Sequence, residues 1–117
     1  MPVNDNINYV EFAARDLEVT KKFFSDVFGW TFEDFGPDYC SFAERGVDGG
    51  FYRADKSSSY DSSGALVILY TDALEDTQQR VLAAGGVITT DIFSFPGGRR
   101  FHFTEPSGNE LAVWSDV

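Results

Sequence analysis

Apolar and polar positions along this chain change period twice, in the same order each time. Residues 7–14 and 65–71 are apolar runs of strand length. Each is followed by a segment with helical apolar spacing, then a glycine, then shorter strand-like runs. Displaced by 57 positions, Val10 meets Val67, Leu17 meets Leu74, Glu18 meets Glu75, Thr20 meets Thr77 and Gly29 meets Gly86. The identities are few, but the recurring order of elements predicts a duplicated unit.

The first helix is expected over residues 17–28. Asp16 can accept the free amide protons of its first turn, and Gly29 suits a left-handed stop. Leu17, Phe24, Val27 and Phe28 share one face, with Lys21, Lys22, Ser25 and Asp26 largely away from it. The second helix is expected over residues 74–84, with Leu74, Val81 and Leu82 as its stripe and Gly85-Gly86 as its end. Ala73 stands where Asp16 stands in the first unit, so Asp72 is the expected cap.

Further strands are expected at residues 31–35, 39–43 and 50–53, and again at 87–93, 100–104 and 110–115. In the last hairpin Phe101 and Phe103 alternate with His102, and Leu111 and Val113 with Ala112. Between them Glu105-Pro106-Ser107-Gly108-Asn109 predicts a sharp reversal. The fold class is therefore α+β: two βαβββ modules forming curved mixed sheets, each with a helix on its outer face. One domain, residues 1–117, divides into modules at about 5–54 and 65–117, joined by the serine-rich linker 55–64.

Composition narrows the function. Twelve Phe, five Tyr and two Trp fill a core, and can also line a cavity. Nineteen acidic against nine basic residues give a net charge of −10, which argues against nucleic acid and acidic membrane surfaces as partners. Cys40 is alone, so no intrachain disulfide forms, and a reducing compartment is expected. The polar start MPVNDNINY has no apolar signal core, and no run is long enough to cross a bilayer. A cytoplasmic location is expected.

The segments VEFAARDLEVTKKFFSDVFGW and FTEPSGNELAVW resemble the vicinal oxygen chelate superfamily, which includes glyoxalase I, bleomycin-resistance proteins, fosfomycin-resistance enzymes and extradiol dioxygenases. The first is similar to that family's strand, Asp-Leu helix entry and Gly-Trp helix end. The second is similar to its Asp-Pro-x-Gly-Asn turn, with Glu105 in place of Asp. The resemblance covers nearly the whole chain and implies a homodimer in which strands of both copies line each cavity. It also implies a divalent metal held by His, Glu or Gln on facing strands. Those positions fall here on Tyr9, Leu66 and Ala112, of which leucine and alanine cannot coordinate. No metal or other cofactor is therefore expected.

Strand alternation adds Glu11 and Ala13 to the face of Tyr9, Ile68 and Tyr70 to that of Leu66, and Glu110 and Trp114 to that of Ala112. Alignment to the family places Arg100, His102 and Thr104 on the cavity side. Glu11 is a candidate general base or hydrogen-bond acceptor; otherwise it pairs with Arg99 or Arg100 or lies exposed at a dimer edge. His102 has the ordinary pKa for proton transfer, though a lone histidine between phenylalanines is more often a packed strand residue. Glu110 reads as exposed or paired with a basic neighbour. Glu11, His102 and Glu110 together form the one alternative, relocated metal site. Cys40 reads as a buried thiol, and Gly49-Gly50 and Gly97-Gly98 as turns or bulges.

Two functions follow: a metal-free binder of a small organic molecule, related to bleomycin-resistance proteins, or a divergent enzyme of the lactoylglutathione lyase-related group. The absent ligands favour the binder. Net negative charge favours an uncharged or cationic ligand, although Arg99 and Arg100 can locally attract a carboxylate.

Overall fold

Strand and helix alternate as the repeat predicts. The structure, a computed structural model, describes residues 1–117. Module one comprises β1 (Tyr9–Ala14), α1 (Leu17–Phe28), β2 (Glu33–Asp34), β3 (Tyr39–Phe42) and β4 (Asp48–Arg53). Module two comprises β5 (Val67–Tyr70), α2 (Leu74–Ala83), β6 (Val87–Phe95), β7 (Gly98–Thr104) and β8 (Glu110–Ser115). The strands form two four-stranded sheets, ordered β1-β4-β3-β2 and β5-β8-β7-β6. In each, the first strand lies parallel to the fourth and the remaining pairs are antiparallel. The fold is the expected pair of βαβββ units. No helix is long and apolar enough to cross a membrane.

The first helix obeys its sequence signals. Asp16 Oδ1 accepts from the amides of Glu18 and Val19 at 3.1 and 3.3 Å, and Gly29 ends the helix at φ 71°. Its buried face includes Thr20 and Phe23 beside Leu17, Phe24 and Val27, whereas Phe28 is only half-buried. The second helix departs further. Asp72 does not cap it; instead Thr71 Oγ1 accepts from Ala73 N at 3.1 Å, just outside the helix. Leu82 is exposed, and Thr77 takes the inward position with Leu74 and Val81. A hydroxyl can sit there because Thr77 Oγ1 donates to Thr71 Oγ1 at 3.1 Å.

One apolar core spans both modules. Phe23 of α1 lies 6.0 Å, ring centre to ring centre, from Phe103 of β7, and Phe28 lies 6.1 Å from it. The helix of module one thus packs on the sheet of module two. Polar contacts reinforce the junction: Arg15 N donates to Ser107 Oγ at 3.2 Å, and Thr20 Oγ1 lies 3.1 Å from the same oxygen. The serine-rich segment is also anchored, since Ser58 N donates to Asn109 Oδ1 and Glu110 N to Ser58 O.

Gly97 occupies the expected β6–β7 turn at φ 114°. Gly49 and Gly50 do not form a turn or a bulge. They lie within β4, where a Cβ would come within 2.5 Å of the Phe42 ring and 2.2 Å of the Tyr39 hydroxyl, respectively. Neighbouring aromatic rings cross the backbone there, so a side chain does not fit.

Candidate functional site

Period-two alternation divides β7 and β8 cleanly. Phe101, Phe103, Leu111 and Val113 enter the core, fully buried. The intervening residues Arg100, His102, Glu110, Ala112 and Trp114 share the opposite face. Register aligns them: Arg100 faces Trp114, His102 faces Ala112, and β5 brings Ile68 beside Ala112 and Tyr70 beside Trp114. Leu66 lies one residue before β5 and is half-buried.

His102 is the enclosed group of this face, 3% exposed. The Tyr60 ring stands edge-on to it at 5.4 Å and Phe93 lies 6.0 Å away. Its Nδ1 is 3.6 Å from Glu110 Oε2, and neither ring nitrogen forms a hydrogen bond within the chain. Burial pushes the imidazole pKa down, and the Arg100 charge adds to this; Glu110 opposes both without overcoming them. His102 is therefore neutral at pH 7. Glu110 is held by Tyr60 N–H at 2.9 Å and Thr89 Oγ1 at 2.8 Å. Burial works to raise its carboxyl, but these hydrogen bonds and His102 outweigh it and keep the group below the usual carboxylate range.

Beyond His102 the face becomes an aromatic cleft. The Arg100 guanidinium lies over Phe93 and Phe95, 5.4 and 5.7 Å from their ring centres. Phe95 is 6.3 Å from Trp114, and Tyr70 meets Trp114 edge-on at 5.2 Å. Ile68, Phe95, Arg100 and Trp114 line a hollow of about 260 Å³.

Glu11 and Tyr9 belong to the other sheet. Tyr9 and Tyr39 share a hydroxyl contact of 2.6 Å, and Tyr39 donates to Glu11 Oε2 at 2.9 Å. Burial first, then these two partners, raise the Tyr39 pKa and hold the phenol protonated. The expected pairing of Glu11 with Arg99 or Arg100 does not form: Arg99 reaches Glu75 at 2.5 Å, and Arg100 lies on phenylalanines. Glu11 and Glu110 do border one cleft of about 300 Å³ between the sheets, together with Ala13, Tyr52 and Lys56. Glu110 is not exposed, and the basic neighbour it meets is His102 rather than a Lys or Arg. Cys40 is fully buried, and burial raises its thiol pKa, the setting of a packed thiol.

This pairing of two βαβββ units has relatives. The sequence matches the Glyoxalase/Bleomycin resistance protein/Dioxygenase superfamily over residues 6–113. The chain belongs to that superfamily. A glyoxylase-like domain-containing protein of Didymella fabae is 29% identical over 130 aligned positions, covering 97% of this chain and 95% of that one. A glyoxalase/bleomycin resistance protein/dioxygenase family enzyme from Burkholderia phytofirmans PsJN superposes with a TM-score of 0.80, at 16% identity, covering 96% of this chain and 99% of that one. Lactoylglutathione lyase from Agrobacterium tumefaciens gives 0.71 at 17% identity, covering 97% and 96%. At these identities the two structures establish the glyoxalase-like fold alone.

A superfamily chelate needs converging donors. No three His, Cys, Asp or Glu side chains are gathered as a ligand set. Glu11, His102 and Glu110 do not converge in one copy: Glu11 is taken up by Tyr39 and only His102 and Glu110 are neighbours. Several residues of the two faces escaped the sequence. Tyr39 follows the alternation of β3 and was legible in principle. Phe93 and Phe95 were obscured by register shifts in β6 between Ile88 and Phe93. Tyr60 comes from the serine-rich segment, where no periodicity marks it.

Proposed function

We propose that this protein binds a small organic molecule on the aromatic concave face of its second sheet, without a chelated metal. One observation carries the reading. Ala112, at the position corresponding to an acidic metal ligand, stands between His102 and Ile68 at the centre of the face and offers no donor atom. With Tyr9 and Leu66 at the other two positions, the donor set does not fit a divalent ion. Trp114, Tyr70, Ile68 and Phe95 provide apolar contact around a few polar groups, as small-molecule sites require.

Both concave faces stand open in one copy: Tyr70 is 54% and Tyr9 45% exposed. A homodimer that sets the face of β1 and β3 against that of β7 and β8 of a second copy encloses the ligand, and a cytoplasmic setting suits the single thiol. Isothermal titration with small aromatic molecules tests the site. Binding that Trp114→Ala or Tyr70→Ala abolishes supports it; binding that survives both substitutions refutes it. Stoichiometric retention of Zn²⁺, Ni²⁺, Mn²⁺ or Fe²⁺, lost in His102→Ala, refutes the metal-free reading.

A second reading rests on the His102–Glu110 pair. A neutral imidazole beside a fixed carboxylate can accept a proton, so a divergent enzyme working by acid–base chemistry is the alternative. Lactoylglutathione lyase activity that disappears in both His102→Ala and Glu110→Gln identifies that case.

A further inference from the structure

Six of the nine Lys and Arg side chains of this acidic chain are matched to a carboxylate. Arg15, Lys21, Lys22, Arg53, Arg80 and Arg99 each lie within 4.0 Å of an Asp or Glu oxygen. Arg45 donates to the Gly29 carbonyl, and Lys56 lies over Tyr52 at the other cleft. Arg100 has neither a carboxylate nor a carbonyl. Its guanidinium is carried on the Phe93 and Phe95 rings, and its buried Nε–H has no acceptor. Stacking occupies the flat face of a guanidinium and leaves its in-plane N–H edge free. With acids outnumbering bases nineteen to nine, an unpaired arginine is conspicuous.

We infer that the hollow bounded by Ile68, Phe95, Arg100 and Trp114 takes a planar aromatic carboxylate, with Arg100 gripping the carboxylate. The inference rests on the ligand-binding reading above and specifies the class of ligand. A single guanidinium matches one carboxylate in charge and in fork geometry. A phosphate or polyanion would need further cations or helix amides, and this hollow has neither. The half-buried Trp114 indole, braced edge-on by Tyr70, offers the aromatic part of the ligand a stacking surface. Net charge alone favours a neutral or cationic ligand; the local arrangement of Arg100 reverses that preference at this face.

The test compares 2-naphthoate with 2-naphthamide, equal in shape and different in charge, by titration calorimetry on the full chain. The acid is expected to bind at least about tenfold tighter. Arg100→Gln should remove that difference, bringing acid and amide to equal affinity, and Arg100→Lys, which keeps the charge but not the fork, should retain part of it. Arg99→Gln should change neither. Equal affinities in the parent protein, or an acid preference that survives Arg100→Gln, overturns the carboxylate assignment but leaves the binding site standing. Competition by inorganic phosphate as strong as by naphthoate also overturns it. Absence of binding by either naphthalene probe refutes the binding site itself, and this inference with it.

Discussion

The side-chain amide of Asn109 donates to the Ala13 carbonyl at 2.7 Å, tying the β7–β8 turn of module two to β1 of module one. Both residues are buried, and the same side chain accepts from Ser58 N at 3.0 Å through its other atom. One amide therefore satisfies three segments of the chain. Asn109→Ala leaves a buried carbonyl and a peptide N–H unmet, at a cost of about 2–3 kcal/mol. Chemical denaturation should show that loss in the midpoint, and an unchanged midpoint would remove Asn109 from the junction. Asn109→Asp should also destabilise, because a carboxylate cannot donate to Ala13.

Glu105 governs the pH dependence of the same turn. Its carboxyl accepts from Asn109 N at 3.0 Å, yet Oε2 has no partner and the residue is 2% exposed. Burial raises its pKa to about 7, against an ordinary value of 4.5. The folded state thus holds a proton that the unfolded chain releases, and stability from this group is complete below pH 4.5 and lost by about pH 7. A shift of that size corresponds to roughly 3 kcal/mol. Glu105→Gln should be the more stable protein at pH 8, and the difference between the two should shrink as pH falls. Parallel stability profiles would contradict this.

His102 titrates in the opposite sense. Its folded pKa lies below 6.5, chiefly through burial, so its contribution is complete above pH 6.5 and declines as pH falls towards the folded value. It is the only histidine, so its ring resonances can be followed by NMR without assignment. Glu110→Gln should lower the midpoint further and Arg100→Gln should raise it. A midpoint at or above 6.5 in the parent protein would show that burial and Arg100 do not outweigh Glu110 at this ring.

Phe103 separates packing from binding. It is fully buried between Phe23 and Phe28 on the core side of β7, whereas Trp114 faces the cleft. Phe103→Ala should cost about 3–5 kcal/mol by emptying a site shared by both modules. Trp114→Ala should abolish ligand binding at a smaller cost in stability. Thermal unfolding and calorimetry on the two variants distinguish these outcomes.

Much of the fold was legible because short-range rules govern it. Asp16 before an apolar helical face and Gly29 after it fixed α1 to the residue. Alternation across residues 110–115 fixed β8. Where local signals compete, the outcome differs: Asp72 gives way to Thr71 at the entry to α2, and the strand expected from Gly50 takes in Gly49 as well, with aromatic rings close over both glycines. Alternation also grouped Glu110, Ala112 and Trp114, since a strand fixes sidedness at every second residue, whereas the family resemblance set Arg100 and His102 on the same side.

The sequence by itself determined which residues share a side within a strand or helix: the duplicated unit and the core phenylalanines follow from period and identity. Only the tertiary structure decided which sides meet. It took Glu11 to Tyr39, Arg99 to Glu75 and His102 to Glu110, and left Arg100 on two phenylalanines without an anion. The reason is physical. Period is a property of neighbours along one chain segment, whereas pairing depends on sheet register, bulges and loop paths, which bring together residues such as Tyr60 and His102 that no local pattern connects.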